Sequence, residues 1–180
     1  MMHSVMVRRI AIVAALSLHV SAALAQGTAP AASRIAAMHR FDGWVGLWAG
    51  SGWSIDATGK RSEFTREERV QRKLDGAVLY VEGRGVTKGS EAPMEGIVLV
   101  SWDEKGGHYR WHGHDSAMGS MDAEPRFVDG GFQWAITVGP SSTIVRFAIT
   151  LDATHWNEVG EVSADGKSWS RFMEMHLIRQ

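Results

Sequence analysis

Through most of the chain, apolar side chains recur at every second position. Phe132, Trp134, Ile136 and Val138 fall on one side of an extended segment, with Gln133 and Thr137 opposite. Val145, Phe147, Ile149 and Leu151 do the same, with Arg146, Thr150 and Asp152 opposite. A period of two with one apolar face marks a half-buried antiparallel strand. Strands are predicted over residues 44–55, 63–74, 77–86, 95–102, 108–114, 120–124, 131–138, 143–151, 156–162 and 168–178. Turn chemistry separates them: Asp56-Ala57-Thr58-Gly59, Asp75-Gly76, Asp103 to Gly107, Asp129-Gly130-Gly131, Gly139 to Ser142, Asp152-Ala153 and Ser163 to Lys167. Gly tolerates positive φ there, and Asp bonds its own backbone. Asp-Gly between apolar runs is a hairpin signal. Helical spacing occurs once, over residues 31–41, with Ile35, Met38 and Phe41 along one side. About ten strands at hairpin spacing suggest a sandwich or a barrel. The sequential hairpins favour an all-β, antiparallel up-and-down barrel with a short N-terminal helix.

The first residues follow a different pattern. Arg8 and Arg9 precede a nearly unbroken apolar run over 10–24, and Ala23-Leu24-Ala25 puts small residues ahead of Gln26. This is the layout of a secretory signal peptide, and the run is shorter than the roughly 20 residues of a membrane span. The expected organisation is a signal over 1–25, a leader and short helix over 26–40, and a β-barrel domain over 41–180. The destination is the periplasm or the medium, without stable membrane insertion. The chain has no cysteine, which excludes disulfides, a thiol nucleophile and lipid attachment through cysteine. Loss of Arg8 and Arg9 takes the formal charge from −1 to −3. No basic stripe with interleaved aromatics is present, so nucleic acid is not an expected partner. Eight tryptophans against four prolines indicate a packed core.

The most distinctive segment runs from Phe41 to Trp53. Trp44 and Trp48 share a parity with Gly46, Gly50 and Gly52. Glycines beside large indoles let backbone and ring pack closely at a bend, as on a barrel floor that a tryptophan closes. Gly46-Leu47-Trp48 resembles the G-x-W signature of lipocalins and other calycins. Val45 to Gly52, Trp156-Asn157-Glu158, Ser163 to Trp169 and the late Arg179 together resemble a bacterial family of secreted lipocalin-like domains of unknown function, over residues ~40–180. The resemblance implies a calycin-like barrel and a late arginine, Arg179, over Trp48; Arg171 is the other arginine of the final strand. A guanidinium over an indole gains roughly 0.5–2 kcal/mol. The same opening resembles nitrobindin-type haem barrels. That likeness implies a haem ligand at a late histidine followed by leucine, here His176-Leu177.

Three groups of residues could carry chemistry. His108, Arg110, His112 and His114 share one strand face, with Tyr109, Trp111 and Gly113 opposite. His112 and His114 stand about 7 Å apart and would chelate a divalent metal given a third ligand, His176 or Glu174; Arg110 among them repels a cation. Residues 64–74 are charged on both parities. They form either a solvated face with cross-strand ion pairs or part of a wet cavity in which Arg66 and Arg72 bind a carboxylate. Trp48, Arg66, Arg72, Arg110, Trp134 and Glu158 are the candidate ligand-binding residues. No nucleophile elbow, phosphate loop, dinucleotide fingerprint or zinc-protease helix is present, which points away from catalysis. The leading expectation is a barrel that binds a small, partly apolar molecule in its interior, with no cofactor required. The alternative is a haem- or metal-binding barrel using His176 or His112/His114. A filled barrel acting as a structural partner is a third reading. The pattern leaves the oligomeric state open.

Overall fold

The period-two segments fold as antiparallel strands in one sheet, in a computed structural model that describes residues 28–140 and 142–180. The expected signal peptide and its expected cleavage near Ala25 lie outside the described residues. Helix α1 (Thr28–Met38) runs into a 3-10 turn (His39–Trp44). Eleven strands follow: β1 (Gly46–Ile55), β2 (Arg61–Lys73), β3 (Val78–Thr87), β4 (Pro93–Asp103), β5 (His108–Asp115), β6 (Gly119–Ala123), β7 (Arg126–Val128), β8 (Gly131–Val138), β9 (Thr143–Leu151), β10 (His155–Ser163) and β11 (Ser170–Arg179). Strand β7 is the one the sequence pattern does not reveal. Three residues between Pro125 and the Asp129-Gly130 turn are too few to display a period. No helix among the described residues is long and apolar enough to cross a membrane.

The helical segment begins and ends earlier than its spacing suggests. It is α-helical to Met38 and then tightens to three residues per turn. At that pitch side chains at i and i+3 eclipse, which brings Met38, Phe41 and Trp44 onto one buried face. Phe41 meets Tyr109 and Phe132 edge-on, with ring centroids at 5.2 and 5.3 Å. The Tyr109 hydroxyl donates to the Ala37 carbonyl at 2.8 Å. This plug closes one end of the curled sheet.

The strand order is β6-β5-β4-β3-β2-β1-β11-β10-β9-β8-β7. The first and last strands therefore pair, with Trp48 opposite Arg179 and Gly50 opposite Leu177. The expected clasp is present: the Arg179 guanidinium lies 4.0 Å from the Trp48 ring centroid. It donates to three carbonyls, of Gly43 (2.5 Å), Val45 (2.6 Å) and Ala153 (2.8 Å). Gly46 makes room for it, because a Cβ there would stand 2.6 Å from an Arg179 Nη, and its φ of 146° is one L side chains rarely adopt. Arg171 instead pairs with Glu174 at 3.0 Å. The hydrogen-bonded ladder is not continuous around the barrel. Its two edges, β6 and β7, fall in mid-chain, where β6 approaches β8.

Four of the predicted turn aspartates act as their spacing suggests, and Asp115 behaves like them. Asp56, Asp103, Asp115, Asp152 and Asp165 each accept backbone N–H bonds from residues two to four further on. These bonds hold the Asp152 and Asp165 carboxyls down to about 2.

Candidate ligand-binding site

Strand β2 supplies the polar centre. Its even-numbered side chains, Phe64, Arg66, Glu68 and Val70, turn inward, and its odd-numbered ones face solvent. Glu68 is 6% exposed and takes a 2.7 Å bond from Arg66 Nε. Both side chains lie over Gly83 of β3, where any Cβ would collide with the guanidinium and the carboxylate. A small inward position thus makes space for large charged ones. From the opposite wall, β10 turns Trp156 and Glu158 inward.

These residues line an interior cavity of about 210 Å³. Trp111, Trp134, Phe147, Val81 and Val98 complete its apolar wall, and Met118, Met121, His114 and Asp115 stand at its rim. Trp134 is sandwiched between Trp111 and Phe147, with centroids at 4.8 and 4.3 Å and planes within 19°. The indole N–H groups of Trp111 and Trp134 are buried and have no hydrogen-bond partner among the described residues, which is unusual for buried donors.

Electrostatically the cavity is acidic. Burial raises Glu68 above the usual carboxylate range, opposed by Arg66. Burial, reinforced by the Glu68 charge, pushes Glu158 up to about 7; the Trp156 N–H and Arg66 pull the other way. The hydrogen bond that Glu158 accepts comes from that indole, at 3.3 Å. Two buried carboxyls therefore stand near one guanidinium that bonds Glu68, and the arrangement offers hydrogen-bond acceptors inside an aromatic wall.

The structure brings together three of the six candidate ligand-binding residues: Arg66, Trp134 and Glu158. Trp48 is fully buried in the floor, donating to the Trp44 carbonyl at 2.8 Å. Arg72 is inward-facing but six residues from Arg66, or about 20 Å along the strand. It serves the closed end, donating to Met38 O (2.6 Å) and Gly76 O (3.0 Å) and pairing with Asp42. A joint Arg66–Arg72 grip on one carboxylate is thus replaced by an internal Arg66–Glu68 pair. Arg110 faces outward and forks onto Asp103 at 2.8 and 3.0 Å.

The histidines also face outward. His112 bonds Asp122 at 2.6 Å, and His114 bonds the Ser120 hydroxyl at 2.9 Å. Both ring nitrogens of His176 are engaged, by Asn157 (2.7 Å) and Glu174 (3.0 Å), on the exposed face of β11. His176 lies on the same strand face as Glu174, and neither lines the cavity. Among the described residues no group of three or more His, Cys, Asp or Glu side chains is placed to hold a metal ion.

Glu68 is a member of the site that the sequence pattern did not single out. Its signal is its parity with Phe64 and Val70, hidden by the charges on both sides of it. Trp111 and Gly113 carry a clearer one, since their alternation with histidines marks the inward face. The odd-numbered charges of β2 face opposite charges on the outer surface instead: Glu67 stands opposite Arg84 and Arg69 opposite Glu82 of β3, and Arg84 in turn pairs with Glu95 of β4. They border a depression of about 730 Å³ that belongs to the solvated face.

Comparison with known proteins adds the fold. No protein-family model matches the chain, and no curated protein matches it. It is similar to the crystal structure of Rv2717c from M. tuberculosis, with a TM-score of 0.60 and 12% identity over 80% of this chain and 97% of that one. It is also similar to the S-type phycobiliprotein lyase CPES from Guillardia theta, with a TM-score of 0.57 and 11% identity over 80% of this chain and 92% of that one. The fold is calycin-like. Identities this low carry the architecture and not an activity.

Proposed function

We propose that this protein is an exported carrier that holds a small, partly apolar molecule inside the barrel and does not transform it. The observation that carries the reading is the interior cavity, with a buried Glu68–Arg66–Glu158 cluster set into a tryptophan wall. Charged groups are almost never placed in a core without partners or a task. The similarity in fold to a phycobiliprotein lyase supports a barrel whose interior holds a bound group. At about 210 Å³ the cavity is below the ~300–1,000 Å³ of pockets for drug-sized ligands, so the cargo is compact. The signal-like residues 1–25 support export.

Native mass spectrometry of protein recovered from its own host tests this. The expected result is a chain beginning at Gln26 that carries a small non-covalent occupant. Val98→Phe, which fills the cavity, should lose the occupant. An occupant retained by Val98→Phe, or an empty wild-type protein that binds nothing from a host metabolite extract, overturns the reading.

A further inference from the structure

We infer that the cavity selects a compact organic monocation bearing N–H donors, a protonated amine attached to no more than a single ring. This rests on the binding function proposed above and names the class of ligand.

Charge decides the sign of the ligand. The charged side chains lining the cavity are Arg66, Glu68, Asp115 and Glu158, with His114 at the rim. Arg66 gives its short bond to Glu68. Glu158, at 9% exposure, is left with a long bond from a neutral indole. A carboxylate removed from water needs a counter-charge or a proton. Among the described residues the second buried carboxyl has no cation of its own, so once it loses its proton the deep pocket is one positive charge short. Asp115 at the mouth adds to the same sign. An ammonium group supplies both the missing charge and the missing donors, and a charge-assisted bond of this kind is stronger than a neutral one.

Shape and wall chemistry agree. A cavity of about 150 Å³ holds a benzene, so about 210 Å³ admits one ring and a short polar arm. The wall of Trp111, Trp134, Trp156 and Phe147 suits the ring, and indole favours a nearby cation over an anion. The unpartnered indole N–H groups of Trp111 and Trp134, each 7% exposed, are donors, so a ligand that answers them carries an acceptor atom beside its ammonium group. An anion is disfavoured, because Arg66 is already engaged and two carboxyls would face it.

Benzylammonium, benzyl alcohol and benzoate share one ring and differ in charge. Their binding to the full mature chain is measured at pH 8 by calorimetry and by tryptophan fluorescence. Benzylammonium is expected to bind at least about tenfold more tightly than benzyl alcohol, with benzoate weakest. In Glu158→Gln the ammonium-over-alcohol ratio should collapse to within about twofold. Val98→Phe should abolish binding of both, placing the site inside the barrel. Benzyl alcohol or benzoate binding as well as benzylammonium to the wild type overturns the inference, whether or not either variant folds. So does an unchanged ratio in folded Glu158→Gln, or a failure of all three probes to bind. If the host occupant is neutral or anionic yet lost from Val98→Phe, the cation class falls and the carrier function stands. With no occupant and no probe bound, both fall.

Discussion

Glu158 concentrates the energetic tension of the molecule in one side chain. Its carboxyl is pushed from 4.5 to about 7 by burial and by Glu68. Between those values the unfolded chain has lost the proton that the folded chain keeps, so stability falls as pH rises from about 4.5 to 7. A tenfold change in proton affinity corresponds to about 1.4 kcal/mol, so the loss is on the order of 3 kcal/mol. Glu158→Gln removes the ionisation and keeps the shape. It is expected to be more stable than wild type at pH 8 and to show a flatter profile from pH 5 to 8 in denaturant titrations. A wild-type profile that is already flat over that window, or a Gln variant weaker at pH 8, contradicts the raised carboxyl. Little of this was legible in the sequence. Glu158 stood out beside Trp156, but nothing local told that Glu68, flanked by charge and far away in the chain, would meet it. Such encounters depend on register across four strands, β2-β1-β11-β10, and one sequence carries no record of register.

At the scale of elements, the pairing of β1 with β11 was the most legible feature and Arg179 is its lock. Gly46-Leu47-Trp48 and a late arginine indicated it, and the register places Trp48 directly opposite Arg179. The indole offers its face and Gly46 the space, while three carbonyls fix the guanidinium fork. The two residues should therefore be coupled. Thermal and denaturant unfolding of Trp48→Ala, Arg179→Ala and the double variant are expected to show a coupling on the order of 1 kcal/mol. Arg179→Lys should recover little of it, because an ammonium lacks the planar fork. Strictly additive losses would mean that the stacking contributes nothing. The ten longer strands were readable for a related reason: a period of two needs several residues to show. Strand β7, with three residues, falls below that limit. The plug was readable as a helix but not as a 3-10 turn, because the 35, 38, 41 spacing fits both pitches over so short a run.

For the whole molecule, the consequence of joining the chain ends is that the weak line of the barrel moves to mid-chain. Strand β7 covers only Gly131–Gln133 of β8. Among the described residues the rest of that strand's outer edge lacks a ladder partner and faces β6, which is also an edge. An apolar depression follows this seam, and Met118, Met121 and Phe147 line both it and the interior cavity. Two of these three are methionines, whose unbranched side chains change rotamer at little cost. The seam is thus where the barrel opens with the fewest hydrogen bonds broken, and under the proposed carrier function it is the entry route to Glu158. Hydrogen exchange provides the check. Amides of β6 and of residues 134–138 in β8 are expected to exchange well before those of β1, β2 and β11, because local opening follows the least-bonded edges. Saturation with benzylammonium should slow exchange at the seam more than at the β1–β11 junction. Uniform protection around the barrel, or earlier opening between β1 and β11, would show that the seam is no weaker than the clasp and that the cargo enters elsewhere.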